Sequence, residues 1–299
     1  MTTGRWLSPE AAQGIMSPGT DAFRIFQSPG AWVDRFGGSA VVSAKSAGEA
    51  SELCRGISEN TAGFGWQPAR VFFRELVKQS GGVGCFELVS GDPNMPPTQT
   101  VREDGLRFEV NFSTGYNTGF FADQRANRKL LRSRCAKRVL NTFAHTCSFS
   151  VAAASTGAAS TNVDSAKAFL ERGRRNFSLN GISMEGHRFV AEDSLAYMRR
   201  LAKRGERFDA IILDPPTFGR SGRREFRFDR DFPDLLRAAW DLAEESCAIL
   251  LSTNSSAWDA SGLERASREI LPAGTVFHAE PVPVDFSAHP PSSSVWALP

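Results

Sequence analysis

The chain has 299 residues, of which 41% are hydrophobic, and its 35 Lys and Arg nearly balance its 33 Asp and Glu. This balance is typical of a soluble globular protein with one large or two small domains. Apolar runs such as 210–213 and 248–251 are far shorter than the roughly 20 residues of a membrane helix. The first residues also lack the apolar segment of about 7–15 residues that a secretory signal needs. A cytoplasmic protein without membrane association is therefore expected.

The spacing of cysteines and histidines argues against a metal site. The five cysteines never form a Cys-x-x-Cys pair, and the four histidines never show His-x-x-x-His spacing. Neither a disulfide framework nor a bound metal is predicted. Catalytic chemistry is expected to depend on an organic cofactor instead.

Residues 1–112 are predicted to form a small α+β domain. Glycine and proline turns interrupt short apolar stretches such as 40–42 and 71–73. The sequence Gly-Asp-Pro-Asn-Met-Pro-Pro at 91–97 has the composition of a turn and linker. Residues 106–110 alternate apolar and polar side chains, as a half-buried strand does.

Residues 113–299 show a different pattern, in which helical and strand-like segments alternate. The predicted helices cover 124–137, 151–155, 166–179, 194–203 and 231–244, and a sixth begins at Asp259; the predicted strands cover 139–143, 160–163, 187–191, 208–213, 248–252, 275–278 and 294–298. Alternation at this spacing predicts an α/β fold with a Rossmann-like, doubly wound, mostly parallel sheet of seven strands.

Two basic clusters are candidates for contact with nucleic acid. The first contains Arg125, Arg128, Lys129, Arg132, Arg134, Lys137 and Arg138; the second contains Arg220, Arg223, Arg224, Arg227 and Arg230, placed among Phe218, Phe226 and Phe228. Basic residues interleaved with aromatic ones suit a phosphate backbone with unstacked bases. A solvated helix face and an ordinary surface loop are the alternative interpretations.

Acidic residues follow three successive strands of the predicted sheet. Asp164, Asp193 and Asp214 stand at strand ends, where ligands bind in doubly wound sheets. Each is also explained as a helix N-cap, but together they favour a cofactor that contains a nucleoside. The loop at 144–150 has no glycine and so lacks the motif of NAD and FAD sites. The predicted cofactor is S-adenosylmethionine, a nucleoside without a diphosphate.

A buried strand leads into the segment Asp214-Pro215-Pro216-Thr217-Phe218. Two consecutive prolines stiffen the backbone where it leaves the sheet. Backbone carbonyls and an aromatic ring held in this way can face a flat substrate. The alternative interpretation is a rigid loop without a catalytic role.

Several motifs occur in the order found in one enzyme family. They are Asn-Thr-Gly-Phe-Phe-Ala-Asp-Gln-Arg at 117–125, Leu-Asn-Thr-Phe-Ala-His-Thr at 140–146, Val-Asp-Ser-Ala-Lys at 163–167, Asn-Phe-Ser-Leu-Asn-Gly at 176–181 and Asp-Pro-Pro-Thr-Phe at 214–218. With these motifs the chain resembles the class I S-adenosylmethionine-dependent methyltransferases that modify bacterial 23S ribosomal RNA, among them cytosine-C5 and guanine-N7 enzymes. The resemblance is good over residues 100–299 and looser before them.

The resemblance implies a cofactor site and an acceptor site. Phe121, Asp123, Gln124 and Arg125 would pack over the cofactor; Phe143, His145, Thr146, Cys147 and Ser148 would surround its methionine part; Asp164 would hold the ribose with Ser165, Ala166 and Lys167 beside it; Asp193 and Ser194 would meet the adenine. The catalytic segment Asp214, Pro215, Pro216, Thr217 and Phe218 would face the methyl donor and the target base, with Phe218 stacked on the base. The implied partner is RNA, either 23S rRNA or an assembling large ribosomal subunit, and the N-terminal domain is a candidate for RNA binding.

Two departures from the family pattern bear on function. Family members often have Tyr-Thr-Gly-Gly where this chain has His145-Thr146-Cys147-Ser148, so side chains are expected where glycine allows close backbone approach. Cytosine-C5 methylation needs a cysteine thiolate, and residues 252–256, where cytosine-C5 relatives carry it, contain none. The sequence Asp-Pro-Pro-Thr-Phe at 214–218, followed later by Asn254, instead resembles the guanine-N7 branch. This resemblance implies a guanine nitrogen of 23S rRNA as the acceptor. A cytosine-C5 enzyme and a non-catalytic RNA-binding protein of the same fold are the alternatives.

Overall fold

The computed structural model describes residues 4–17, 19–76, 86–113, 117–221 and 224–298, with backbone alone at 218–221, 224 and 225. The chain divides into two compact units, Met1–Asp123 with Val282–Pro290 and Gln124–Pro281 with Pro291–Pro299. Among the described residues, no helix has the length and hydrophobicity that a membrane crossing requires.

Within the described residues, the first unit is built on a six-stranded mixed sheet. Its elements in chain order are β1 (Arg5–Trp6), α1 (Pro9–Met16), β2 (Ala22–Gln27), β3 (Trp32–Phe36), β4 (Ser39–Ala44), α2 (Ala47–Thr61), β5 (Arg70–Glu75), β6 (Glu87–Ser90), β7 (Thr98–Glu103) and β8 (Leu106–Asn111). Strands β1 to β6 lie in sequence order; β4 and β5, joined through α2, pair in parallel, and the neighbouring pairs are antiparallel. Strands β7 and β8 form a separate hairpin. The α+β character and the strand predicted at 106–110 are confirmed.

The first unit continues beyond residue 112, where the sequence predicts the domain boundary. The Asn111 N–H donates to the Thr118 carbonyl at 2.9 Å, and the rings of Phe108 and Phe120 stack with centroids 4.7 Å apart. A distant segment also returns to this unit, since Asp285 Oδ2 accepts the Arg24 N–H at 3.1 Å. These contacts join residues beyond 112 to the first unit, which continues to Asp123.

The second unit is built on a seven-stranded sheet within the described residues. Its elements are α3 (Arg125–Ser133), β9 (Arg138–Thr142), α4 (Ser148–Ala154), β10 (Ala159–Asp164), α5 (Lys167–Leu179), β11 (His187–Ala191), α6 (Ser194–Lys203), β12 (Phe208–Leu213), β13 (Phe218–Ser221), β14 (Arg224–Arg227), α7 (Phe228–Trp240), β15 (Ala243–Thr253), α8 (Ala260–Arg268), β16 (Val276–His278) and β17 (Ser293–Leu298). The sheet order is β11-β10-β9-β12-β15-β17-β16, in which β17 runs antiparallel to both neighbours. The predicted doubly wound, mostly parallel sheet is confirmed.

The core of the second unit lies on both faces of this sheet. Alternate strand residues such as Leu140 and Ile211 pack towards α6 and α7, whereas Val139 and Ile212 pack towards α3 and α4. Strands buried on both faces are typical of parallel sheets covered by helices. This explains the continuous apolar runs 210–213 of β12 and 247–251 of β15.

Several element bounds differ from the sequence prediction. The helix predicted at 124–137 ends at Ser133, because Cys135 takes the left-handed φ of 50°. The helix predicted at 151–155 begins at Ser148, directly after another left-handed residue. The helix predicted at 231–244 begins at Phe228 and ends at Trp240, and the next strand begins at Ala243 rather than 248, because Ala243 pairs with the start of β12. The β13–β14 hairpin was not predicted.

Candidate functional site

The carboxyl ends of four parallel strands meet at one edge of the second unit's sheet. Val163 of β10 and Leu213 of β12 both pair with Thr142, the last residue of β9, and Leu213 also pairs with Leu251 of β15. Because these registers align the strand ends, the loops that follow lie side by side. The predicted site residues that follow β9, β10 and β12 are therefore brought together, at the edge where doubly wound sheets bind ligands.

The loop after β9 holds an unusual backbone conformation. Phe143, His145 and Cys147 have φ values of 53°, 46° and 60°, which are uncommon for residues with side chains and recur at ligand sites. The His145 N–H donates to Asp164 Oδ2 at 2.8 Å, and the Phe143 N–H donates to Ser194 Oγ at 3.3 Å. Neighbouring strand ends therefore impose the shape of this loop.

The side chain of Cys147 packs against α5. The thiol is fully buried, and a Cβ atom added to Gly173 would lie only 2.4 Å from its Sγ. Gly173 thus leaves the space that the thiol fills. The expectation that the Cys147 side chain intrudes on the ligand side of the loop is therefore wrong. The neighbouring Ser148 Oγ accepts a hydrogen bond from Arg128 Nη1 at 3.4 Å.

Asp164 ends β10 with both carboxylate oxygens engaged by the backbone. Oδ2 accepts the His145 N–H and Oδ1 accepts the Ala166 N–H, each at 2.8 Å. Burial raises the pKa of Asp164, and these two bonds partly offset that shift. A carboxylate oxygen has about two lone-pair sites, so each oxygen can still accept a bond from a hydroxyl.

The other residues of the loops after β9 and β10 are placed as follows. His145 is half-buried, with its ring centroid 3.9 Å from that of Phe169. Thr146 is buried, and its carbonyl accepts from Asn176 Nδ2 at 2.9 Å. Ser165 and Lys167 are exposed, with Lys167 the first residue of α5. Asn176 thus fixes the loop from α5, a role the sequence analysis missed although its motif includes this residue.

Asp193 and Ser194 lie where β11 leads into α6. Asp193 Oδ1 accepts the Ala196 N–H at 2.9 Å and caps the helix. Ser194 is buried and anchors the backbone of Phe143. The N-cap interpretation of Asp193 is therefore confirmed, and a capping residue at this strand end remains compatible with a ligand contact.

The segment predicted to pack over the cofactor spans the two units. Phe121 and Asp123 belong to the first unit, and the Phe121 side chain is 44% exposed. Gln124 belongs to the second unit, where its Nε2 donates to Ser252 Oγ at 3.0 Å. Arg125 is the first residue of α3.

The Asp-Pro-Pro-Thr turn is fixed to the end of β15. Asp214 and Thr217 are half-buried, Pro215 is buried and Pro216 is exposed. The Thr217 N–H and Oγ1 donate to Asn254 Oδ1 at 3.1 and 2.6 Å. The side chain of Phe218 lies outside the described residues.

A cavity of about 690 Å³ adjoins this contact. It is lined by Thr217, Arg227, Phe228, Asp229, Arg230, Asn254, Ser255, Ser256 and Ala257. Its size is that of a small-molecule site. The sequence indicates Asn254 only through the resemblance to one family branch, because nothing in the local sequence signals its bond to Thr217, a residue 37 positions away.

The family model for S-adenosylmethionine-dependent methyltransferases matches residues 33–298 of the chain. The chain belongs to this family. A curated relative named ribosomal RNA large subunit methyltransferase K/L, from Allochromatium vinosum, is 38% identical over 237 residues, which are 77% of this methyltransferase and 31% of that protein. Another, named ribosomal RNA large subunit methyltransferase K, from Neisseria meningitidis, is 39% identical over 158 residues, with coverage of 52% and 45%.

The chain spans less than half the length of those two relatives. Solved structures extend the comparison to the fold. SMU.776 in complex with SAH matches with a TM-score of 0.81 and 24% identity, over 97% of this chain and 78% of that chain. A SAM-dependent methyltransferase from Agrobacterium tumefaciens matches with a TM-score of 0.75 and 20% identity, over 93% and 90%. These matches confirm the predicted class I methyltransferase fold.

The residues at the strand edge fit S-adenosylmethionine, the cofactor of this family. Asp164 keeps acceptor capacity for the two ribose hydroxyls. The glycine-free loop after β9 adopts left-handed φ values, and its buried thiol packs against Gly173. The residues that replace the family's glycines therefore still fit S-adenosylmethionine.

Acidification is expected to weaken the binding of S-adenosylmethionine, and to do so at a pH above the usual titration range of an aspartate. Burial raises the pKa of Asp164 above 3.8, and the ionised carboxylate is the form that accepts hydroxyl and N–H groups. Affinity is therefore full above the raised pKa and is lost as the pH falls through it. Calorimetric titration with S-adenosylmethionine between roughly pH 4 and 8 checks this. Constant affinity across that interval would contradict it.

Proposed function

We propose that the protein transfers a methyl group from S-adenosylmethionine to a nitrogen of a guanine in 23S rRNA. The observation that carries the proposal is the shared strand edge. There the Asp164-held loop lies beside the Asp-Pro-Pro-Thr turn, and Thr217 of that turn is bonded to Asn254. The names of the relatives from Allochromatium vinosum and Neisseria meningitidis support ribosomal RNA of the large subunit as substrate. We place the reaction in the cytoplasm, on the RNA or on an assembling subunit.

In this proposal, the cofactor supplies an electrophilic methyl group carried on a sulfonium. Asp164 holds the ribose, with Ser165, Ala166 and Lys167 beside it; Phe143, His145, Thr146, Cys147 and Ser148 surround the methionine part; Asp193 and Ser194 meet the adenine; Phe121, Asp123, Gln124 and Arg125 pack over it. The loop adopts the left-handed φ values that glycine commonly takes, although it contains no glycine.

The acceptor base is positioned by the catalytic segment 214–218. A guanine nitrogen is itself the nucleophile, so the work of the chain is alignment and electrostatic stabilisation. Asp214 and the carbonyls of Pro215 and Pro216 orient the base, and Phe218 stacks on it. Extruding the base costs a few kcal/mol, which stacking and phosphate contacts from the basic hairpin β13–β14 offset.

No covalent adduct is expected with RNA that contains 5-fluorocytidine. Burial raises the pKa of Cys247 to about 12 and the pKa of Cys147 well above its usual value, so neither thiol supplies a thiolate near neutral pH. The residues that follow β15 contain no cysteine. Denaturing electrophoresis after incubation with S-adenosylmethionine and the fluorinated RNA checks this. A shifted protein–RNA band would favour the cytosine-C5 alternative.

The proposed function is tested by two linked measurements. Calorimetric titration should show saturable binding of S-adenosylmethionine and none of NAD. Incubation of the protein with unmodified 23S transcript and S-adenosylmethionine should then yield a methylguanosine, mapped by mass spectrometry of the RNA. Tight RNA binding without cofactor binding would instead favour the non-catalytic alternative.

A further inference from the structure

The cavity beside the Asp-Pro-Pro-Thr turn contains a hydrogen-bond donor of fixed orientation. A backbone N–H can only donate, so the Asn254 atom that lies 3.1 Å from the Thr217 nitrogen is the amide oxygen. Thr217 Oγ1 donates to the same oxygen at 2.6 Å. Two bonds on Oδ1 leave the Nδ2 group turned away from Thr217. Asn254 is exposed and lines the cavity, so its amide N–H groups are available to a ligand.

The same cavity contains an acceptor held in a similar way. Asp229 lies in the first turn of α7, and Trp258 Nε1–H donates to its Oδ1. The Trp258 ring is itself packed edge-on against Phe228, with centroids 5.2 Å apart. This leaves Oδ2 of Asp229, which is exposed and lines the cavity, to accept from a ligand. The neighbouring Arg230 is held by a pair of bonds to Asp231 at 3.0 and 2.9 Å.

We propose that Asn254 and Asp229 recognise the Watson–Crick edge of the target guanine. Asn254 Nδ2 donates to O6, and Asp229 accepts from N1–H and the 2-amino group. Guanine places one acceptor beside two donors on that edge, which matches an amide donor together with a carboxylate. Adenine places a donor where guanine has O6, so it would face the amide with the wrong polarity. This inference rests on the proposed function and deepens it.

Recognition through this edge has a consequence for the reacting atom. The Watson–Crick edge and N7 lie on different sides of the purine. A guanine held by N1–H and its 2-amino group leaves N7 accessible, whereas its 2-amino nitrogen is engaged by Asp229. The pair therefore assigns N7 as the methyl acceptor.

Isosteric variants test the roles of Asn254 and Asp229 without removing the hydrogen bonds that hold the two side chains in place. Asp229→Asn keeps an oxygen for the Trp258 N–H, and Asn254→Asp keeps an oxygen for the two Thr217 donors. Asp234→Asn is the matched control, because Asp234 is another α7 carboxylate, 47% exposed and paired with Arg199. The kcat/KM of each variant is compared with that of the wild type on 23S transcripts that carry guanosine or inosine at the mapped target. Inosine lacks only the 2-amino group. Calorimetry with S-adenosylmethionine monitors the cofactor site.

Inosine is expected to lower kcat/KM about 10-fold for wild type and the Asp234→Asn control, but hardly at all for Asp229→Asn. Asn254→Asp is expected to lose about 100-fold on both RNAs, because a carboxylate then faces O6. Cofactor affinity should be unchanged in every variant. If inosine lowers kcat/KM equally in wild type and Asp229→Asn, or if Asn254→Asp is fully active, these two residues do not recognise the guanine. Either result leaves the proposed guanine methylation intact. A wild-type protein that binds cofactor and methylates no guanine overturns the proposed function and this inference with it.

Discussion

Replacing Asp164 by Asn is expected to lower the affinity for S-adenosylmethionine by roughly 100-fold. Hydrogen bonds to a charged acceptor contribute about 1.5–3 kcal/mol each. In the asparagine variant one ribose hydroxyl loses its acceptor, and the other keeps only a neutral carbonyl oxygen. One bond lost and one bond weakened together amount to about 3 kcal/mol. Since about 1.4 kcal/mol corresponds to a factor of ten in affinity, the expected loss is about two orders of magnitude. The amide NH2 would also face one of the two backbone N–H groups that Asp164 now accepts, from His145 or Ala166.

The conflict between the amide NH2 and a backbone N–H needs a control, because a distorted loop would also weaken the binding of S-adenosylmethionine. Asp209 supplies one at the opposite end of the same sheet. Its Oδ2 and Oδ1 accept the N–H groups of Lys137 and Arg138 at 2.7 and 2.9 Å, at the amino end of β9. Asp209→Asn therefore removes an equivalent backbone clamp far along the strand from the cofactor loop.

Calorimetry and urea denaturation separate the two effects. Asp164→Asn and Asp209→Asn should lower the free energy of unfolding by similar amounts, since each breaks a carboxylate clamp on two N–H groups. Only Asp164→Asn should lose cofactor affinity. Equal loss of affinity in both variants would assign Asp164 a purely structural role, and a folded Asp164→Asn protein with unchanged affinity would exclude its contact with the ribose.

The architecture of the second unit could be predicted because its signals are local. The strand 208–213 is apolar except for Asp209, and the strand-like segments of this unit alternate with segments of amphipathic, helical period. Strand ends in such a fold lie at one edge, so the sequence alone places Asp164 and Asp214 at the same edge. Their motifs then indicated the cofactor.

The rest depended on contacts between residues distant in sequence. The β13–β14 hairpin, residues 218–227, is rich in arginine and glycine and shows no apolar alternation. The 284–286 turn joins the first unit through Asp285, whose partner Arg24 is 261 positions away. No pattern along the chain predicts such pairings, because they follow from tertiary packing.

The Cys147–Gly173 contact is a clear example from the site itself. The sequence shows that glycines are missing from the loop after β9, and an intruding side chain was the natural expectation. What the sequence does not show is that a glycine on α5 accommodates the thiol. The loss of glycine in one element is matched by a glycine in another.

Gly173→Ala is therefore expected to destabilise the protein by about 1–3 kcal/mol, the usual cost of overpacking. The added Cβ would lie 2.4 Å from Cys147 Sγ and 3.1 Å from its Cβ, so α5 must shift. Helix propensity alone would make alanine more stable by about 1 kcal/mol, so a net loss reports the collision. Gly14→Ala in α1 is the control, because no atom lies within 4 Å of its added Cβ, and it should stabilise. Urea denaturation measures both.

The sign of the effect should reverse when the thiol is removed. In a Cys147→Gly background the space beside α5 is open, and the φ of 60° at position 147 suits glycine. Gly173→Ala should then stabilise the protein, giving a coupling energy on the order of 1–3 kcal/mol between the two positions. Equal effects of Gly173→Ala in both backgrounds would mean that the thiol does not fill this space. A reversal would show that the loop keeps its ligand-binding shape because α5 accommodates the thiol, and the double variant should then bind S-adenosylmethionine as the wild type does.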